Sequence, residues 1–229
     1  MIFKLLVEEI VKNYNAYENI DKTPVNIVEK SKVNILNKAT EFYTKNSKII
    51  NNKLWDDKSH GDLSESALIR IKNIHSCLDT SSPPKQDILL YSGVRRDPQE
   101  SVKDSGGILH HAAFLSTSVD PNVALRFTKK VKDTNGNDVH HVIKIKVRKG
   151  QQVGGYLGDD SEHKSEKEFL VKSNQLLHIH PNPTDYIDKE GRTIRVHDAI
   201  ILNKKECNKE REHPESQSKI DFEERLNEI

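Results

Sequence analysis

The sequence predicts an α+β fold: a helical N-terminal region followed by a mainly β core. Three observations carry this reading. Residues 1–60 hold no glycine, and their apolar side chains recur at helical spacing. The run Ser81-Ser82-Pro83-Pro84 then ends the helical pattern, because proline cannot continue a helix and biases its predecessor to extended geometry. Beyond it the apolar period shortens to two, and nine of the ten glycines fall between Gly93 and Gly191.

Each element follows in order. Ile2, Phe3, Leu6 and Ile10 share a helical face. The stretch before Glu8-Glu9 is too short and too quickly acidic for a signal peptide, so it reads as an ordinary helix. Val25, Ile27, Val28, Val33, Ile35 and Leu36 mark a second helix or two short ones. Phe42, Ile49, Ile50 and Leu54 mark a third, and Ser64-Glu65-Ser66 leads into another through Ala67-Leu68-Ile69-Arg70-Ile71. Asp87-Ile88-Leu89-Leu90-Tyr91-Ser92-Gly93 is short, apolar and stopped by glycine, as a buried strand would be. One helix is expected near residues 122–130. Asp133-Thr134-Asn135-Gly136-Asn137 is turn chemistry. After it, Ile143, Ile145 and Val147 alternate with Lys144, Lys146 and Arg148, which predicts a half-buried strand. Residues 169–171, 176–180 and 194–202 are further strands. The organisation is residues 1–82 helical, 83–203 a β-rich core and 204–229 a charged tail, in one domain overall.

Charge narrows the class. Among 229 residues, Lys plus Arg number 36 and Asp plus Glu 35, a formal net charge of +1. This balance excludes a generally basic nucleic-acid binder and a polybasic membrane protein, while a local basic groove stays open. No apolar run approaches the 18 or so residues of a membrane span. Cys77 and Cys207 lie far apart and fit no zinc pattern, which groups ligands in close pairs. The expectation is an intracellular chain with reduced thiols.

Three segments could carry chemistry. Ser165-Glu166-Lys167-Glu168-Phe169-Leu170-Val171 sets two carboxylates two residues apart at the entry to a strand. In extended backbone, i and i+2 point to one face, so both could enter one cleft. Such a pair suits a cationic transition state with a proton to remove; the plainer reading is solvated charge beside a strand. Phe114-Leu115-Ser116-Thr117-Ser118 precedes Asp120-Pro121, an N-cap with proline at the first helical position. Capping explains Asp120 and Pro121 but not the three hydroxyls. After Tyr91-Ser92-Gly93-Val94 come Arg95 and Arg96, which can grip phosphate oxygens bidentately or simply be solvated in a loop. His110-His111, His140-His141, and His178 with His180 read as partly buried or surface histidines, and no metal site is assigned.

Taken together and in this order, the segments resemble the arginine-specific mono-ADP-ribosyltransferases of the R-S-E class. That family includes binary actin-modifying toxins and the Alt and Mod enzymes of T-even phages. Ser116-Thr117-Ser118 matches its Ser-Thr-Ser element, and Glu166-Lys167-Glu168 its Glu-x-Glu element. Between them, Gly154-Gly155-Tyr156-Leu157 is similar to the family's Gly-Tyr loop. The resemblance covers residues 88–202 or so, and composition looks more like a phage enzyme than a secreted toxin.

The resemblance implies a mixed β-sandwich core behind an N-terminal helical region. It implies NAD as substrate: the nicotinamide–ribose bond breaks and ADP-ribose passes to a protein side chain through an oxocarbenium-like transition state, without a metal. Glu168 takes the place of the catalytic glutamate, which hydrogen-bonds the ribose 2′-OH and stabilises charge at C1′. Glu166 takes the place that marks arginine acceptors, whose guanidinium needs a carboxylate to orient it and remove a proton. Ser116 would hold Glu168 and the ribose in register, with Thr117 and Ser118 beside it. The family sets Arg directly after the strand aromatic; Ser92 stands there, so Arg95, with Arg96 second, is assigned to the pyrophosphate. Phe127 packs near the nicotinamide or in the core of its own helix.

The implied partner is a protein presenting an exposed arginine, in the cytoplasm. For a phage-encoded chain, this would be the host cytoplasm and the host transcription or translation machinery. Alternatives are an NAD glycohydrolase, a binding module of the same fold without catalysis, and a transferase acting on nucleic acid. The balanced charge argues against nucleic acid and membrane.

Overall fold

The computed structural model describes residues 30–55, 65–157 and 164–202. The helix expected at residues 2–10, the start of the second, Cys207 and the tail from 204 lie outside these residues. The described part has a β-sheet core and few helices, the α+β arrangement read from the sequence. No described helix is long and apolar enough to cross a membrane.

The chain forms two compact units, each drawn from separated stretches. Among the described residues, the first comprises 30–55, 65–90, 112–123, 147–157 and 164–174; the second comprises 91–111, 124–146 and 175–202. In the first unit, helices α1 (Lys30–Trp55) and α2 (Glu65–Thr80) cover strands β3 (Leu115–Ser118), β6 (Gly154–Tyr156) and β7 (Glu168–Val171). Tyr43 and Ile50 share one face of α1, and Ile71, Ile74 and Leu78 one face of α2. They close on Phe114, Leu157 and Leu170 as the core of this unit. The two apolar clusters read as separate helices join in α1. Its break falls at Asn46 (φ −127°), where the side-chain amide donates to the Phe42 carbonyl at 3.0 Å.

β7 is central in its antiparallel set, with β3 on one side and β6 on the other. β6 lies so close that a Cβ on Gly154 would sit 2.1 Å from the Leu170 carbonyl oxygen. The Gly-Tyr segment is therefore a strand, and glycine is what admits it.

In the second unit, β5 (Asp138–Val147) and β10 (Thr193–Ile201) pair in parallel. β8 (Gln175–Ile179) joins β10, and β2 (Ile108–His111) joins β8, both antiparallel. β9 (Thr184–Ile187) and β4 (Lys130–Lys132) are short antiparallel additions to β10 and β5. The alternation read in β5 holds: Ile143, Ile145 and Val147 are buried while Lys144 and Lys146 are half-buried. β1 (Ile88–Val94) begins in the first unit and ends in the second.

Two short helices start alike. α3 (Pro98–Val102) is capped by Asp97, whose carboxylate accepts from the Gln99 amide at 2.9 Å. At α4 (Pro121–Arg126), Asp120 accepts from the Asn122 amide at 2.9 Å. Each has aspartate at N-cap and proline at the first helical position.

Candidate active site

The site is built on β3 and β7. Their register sets Ser116 opposite Leu170, Thr117 opposite Phe169 and Ser118 opposite Glu168. Partners in an antiparallel pair share a face, so Ser118 and Glu168 are direct cross-strand neighbours. The hydroxyls then lock the acidic segment. Thr117 Oγ1 donates to the Phe169 carbonyl at 2.5 Å, and Ser118 Oγ donates to the Glu166 carbonyl at 2.7 Å. Ser118 Oγ also accepts from the Asp120 amide at 3.1 Å, joining this lock to the start of α4.

Glu166 and Glu168 are both half-buried, but they are not two points on one strand. Glu166 ends a 3₁₀ turn, Lys164–Glu166, and Glu168 begins β7. Between them Lys167 has φ +45°, in the left-handed region that costs a non-glycine residue about 1–3 kcal/mol. Strand alternation therefore does not set these two carboxylates on one face, contrary to the expectation from their spacing. What sets Glu166 beside the β7 entry is this turn, with its carbonyl held by Ser118.

Ser116 is exposed, yet its hydroxyl reaches the helical layer. Tyr43 of α1, only 1% exposed, lies with its hydroxyl 3.3 Å from Ser116 Oγ. Asn51 Nδ2 donates to that same tyrosine oxygen at 3.2 Å, which leaves the Tyr43 proton free to point at Ser116. Burial, aided by the negative charge of Glu168, pushes the Tyr43 phenol up to about 12, so it stays protonated. Sequence reasoning missed Tyr43 and Asn51. Tyr43 falls on the apolar face of its helix, and nothing local says that its hydroxyl meets a serine far along the chain.

The structure thus brings Ser116, Thr117 and Ser118 together with Glu166 and Glu168 in the first unit. Arg95 and Arg96 lie in the second, exposed, in the loop between β1 and α3. Ser92 is buried in β1. Phe127 falls just past α4 and is 47% exposed, which overturns its reading as a core residue. Among the described residues, one group has ligand atoms close enough to hold a metal ion: Asp97, His141 and His197, in the second unit.

Residues 28–204 match the model of the ADP-ribosyltransferase exoenzyme family. That span reaches further into the N-terminal helices than the resemblance read from the motifs. A curated relative from Enterococcus faecalis, the NAD(+)–arginine ADP-ribosyltransferase EFV, is 28% identical over 137 residues. The alignment takes in 59% of this chain and 26% of that protein, so the chain spans about a quarter of the relative's length. The fold is similar to that of C3stau2 from S. aureus, solved with NAD: TM-score 0.57 and 16% identity, covering 85% of this chain and 96% of that one. It is similar too to the ADP-ribosyltransferase Vis from Vibrio splendidus, solved with agmatine, with TM-score 0.57, 17% identity and 86% of each chain covered.

Proposed function

The chain belongs to the ADP-ribosyltransferase exoenzyme family, and from that premise we propose that it transfers ADP-ribose from NAD to arginine side chains of a target protein in the cytoplasm. The observation that carries the proposal is the lock of β3 on β7. Ser118 faces Glu168 across the strands while it holds the turn that ends in Glu166. Two half-buried carboxylates fixed to rigid backbone meet the chemical need, one to stabilise a cation and one to take a proton.

Glu168 stabilises positive charge developing at C1′ of the nicotinamide ribose and binds its 2′-OH. Ser116, steadied by Tyr43, holds Glu168 and the ribose in register. Glu166 orients the acceptor guanidinium, whose pKa lies above about 12, and removes its proton. Arg95, then Arg96, supplies the cation for the pyrophosphate. The acceptor assignment draws support from Glu166 itself, from the activity in the name of the Enterococcus faecalis relative, and from agmatine, a guanidine, in the Vis structure.

Two isosteric variants test the roles. Glu168→Gln should lower both nicotinamide release and transfer by at least about 10²-fold, the usual loss for one preorganised electrostatic group. Glu166→Gln should spare NAD cleavage by water and lower transfer to agmatine or protein arginine. Near-wild-type turnover in Glu168→Gln would end the proposal. Equal loss of both activities in Glu166→Gln would reassign that residue to NAD and reopen the acceptor.

A further inference from the structure

The second unit gathers three side chains of a different chemistry. His141 lies on β5, His197 on β10, and Asp97 caps α3 directly after Arg95-Arg96. Parallel pairing sets His141 opposite Arg195, so His197, two residues along β10, shares the face of His141. His141 Nδ1 is 2.9 Å from His197 Nε2. Asp97 Oδ1 is 3.8 Å from the first nitrogen and 3.9 Å from the second. The histidines are 1% and 0% exposed, and the Asp97 side chain, at 26%, opens the group to solvent.

A triangle with these sides has a circumradius of about 2.1 Å, so one point lies at zinc–ligand distance from all three donors. We propose that Asp97, His141 and His197 form a binding site for a single divalent transition metal, with Zn²⁺ as its fitting occupant. Two imidazoles and one carboxylate suit zinc or its neighbours rather than magnesium or calcium, which prefer oxygen donors.

Charge and protonation agree. Burial holds both histidines below their ordinary range, His197 to about 4, against the opposing pull of Asp97. The 2.9 Å contact between their facing nitrogens requires one of the two to be without its proton, as ligation does. Arg195 faces the pair but is neutralised by Asp185, which accepts from Nε and Nη2 at 2.7 Å each. Among the charges that act on the pair, Asp97 and Asp185 oppose the single Arg195, a balance that favours a cation.

Ligation requires the proton between the two rings to move to the far nitrogen of its own ring, so none need be released. His197 then carries its proton on Nδ1, a buried atom without a hydrogen-bond partner. That orphan donor, and a fourth position left to water, set the affinity below that of four-ligand structural zinc. Bound metal would tie the loop of Arg95 and Arg96 to β5 and β10.

The test uses the full chain, stripped of metal by chelation and titrated with ZnCl₂ by calorimetry and with Co²⁺ by visible absorption. Expected are one equivalent bound with micromolar affinity and a tetrahedral Co²⁺ spectrum. Asp97→Asn keeps the helix cap, since asparagine caps as well as aspartate, and should bind at least about tenfold more weakly. His197→Gln should abolish binding, and His110→Gln, on an exposed β2 histidine, should leave it unchanged. Absence of a saturable single site in the wild type would overturn the proposal. So would wild-type affinity in Asp97→Asn, which would assign binding to other imidazoles. Asp97→Asn decides the matter even if His197→Gln fails to fold.

Discussion

Tyr43→Phe isolates the tie between the helical layer and the candidate site. The ring stays: it is buried among Ile50, Ile74, Leu78 and Leu170 and meets Phe114 edge-on, with centroids 5.5 Å apart. Only the hydroxyl goes, and with it the contacts at 3.3 Å to Ser116 and 3.2 Å to Asn51. Both are long, so each falls at the low end of a net hydrogen bond, about 0.5 kcal/mol. The larger part is what stays behind. Asn51 Oδ1 is already buried without a partner, and the variant takes away the acceptor of Nδ2 as well, worth about 1 kcal/mol. The total is about 2 kcal/mol, which lowers the thermal midpoint of a chain this size by about 4–8 °C. Ser116 loses its anchor in the same step, so nicotinamide release should fall about tenfold beyond any loss of folded protein. Scanning calorimetry and a nicotinamide-release assay on the folded fraction read the two effects. An unchanged midpoint would show that the hydroxyl is not bonded as described. A lowered midpoint with unchanged turnover would make Tyr43 a core residue and nothing more.

The remaining predictions concern the same strands and their ligands. The raised phenol pKa means Tyr43 contributes stability that is fully present below about pH 10 and lost as pH rises toward about 12; the loss is at most about 3 kcal/mol, and Tyr43→Phe should flatten it in alkaline denaturation curves. Gly154→Ala has no forbidden φ to adopt, but its Cβ would meet the Leu170 carbonyl carbon at 2.9 Å and the oxygen closer still. Backbone cannot yield as a side chain can, so we expect a cost of about 1–3 kcal/mol in chemical denaturation, and impaired NAD cleavage because the displaced strand carries Glu168. Arg95→Lys keeps charge and loses the planar fork, so calorimetric NAD affinity should drop, and more than in Arg96→Lys. Unchanged affinity in both variants would place the phosphate-binding cation elsewhere.

What was legible in the sequence was what a local rule governs. The alternation of Ile143, Ile145 and Val147 with lysines gave β5, because each side chain's face depends only on its neighbours in an extended chain. Asp120-Pro121 announced α4. Asp97-Pro98 carries the same signal for α3, but Arg95 and Arg96 beside it fit a loop equally well, so the local pattern does not decide there. β6 was hidden for a related reason: Gly-Gly-Tyr has little strand propensity, and only the approach to Leu170 explains it.

Glu166 and Glu168 show where a local rule breaks down. The two-residue period assumes that every residue between them is extended, and one left-handed residue, Lys167, resets it. The right residues were brought together by a turn that alternation does not describe, and that turn is held from another strand by the Ser118 hydroxyl. The same holds with more force for Tyr43 on Ser116 and for His141 on His197. Each pair is separated by dozens of residues, and each partner has an ordinary local role, one on an amphipathic helix face and the other three along strands. Their chemistry is created by register. Sliding β10 by one residue against β5 would turn His197 to the opposite face and dissolve the group with Asp97. Pairing, not composition, therefore carries the information that makes these side chains a site.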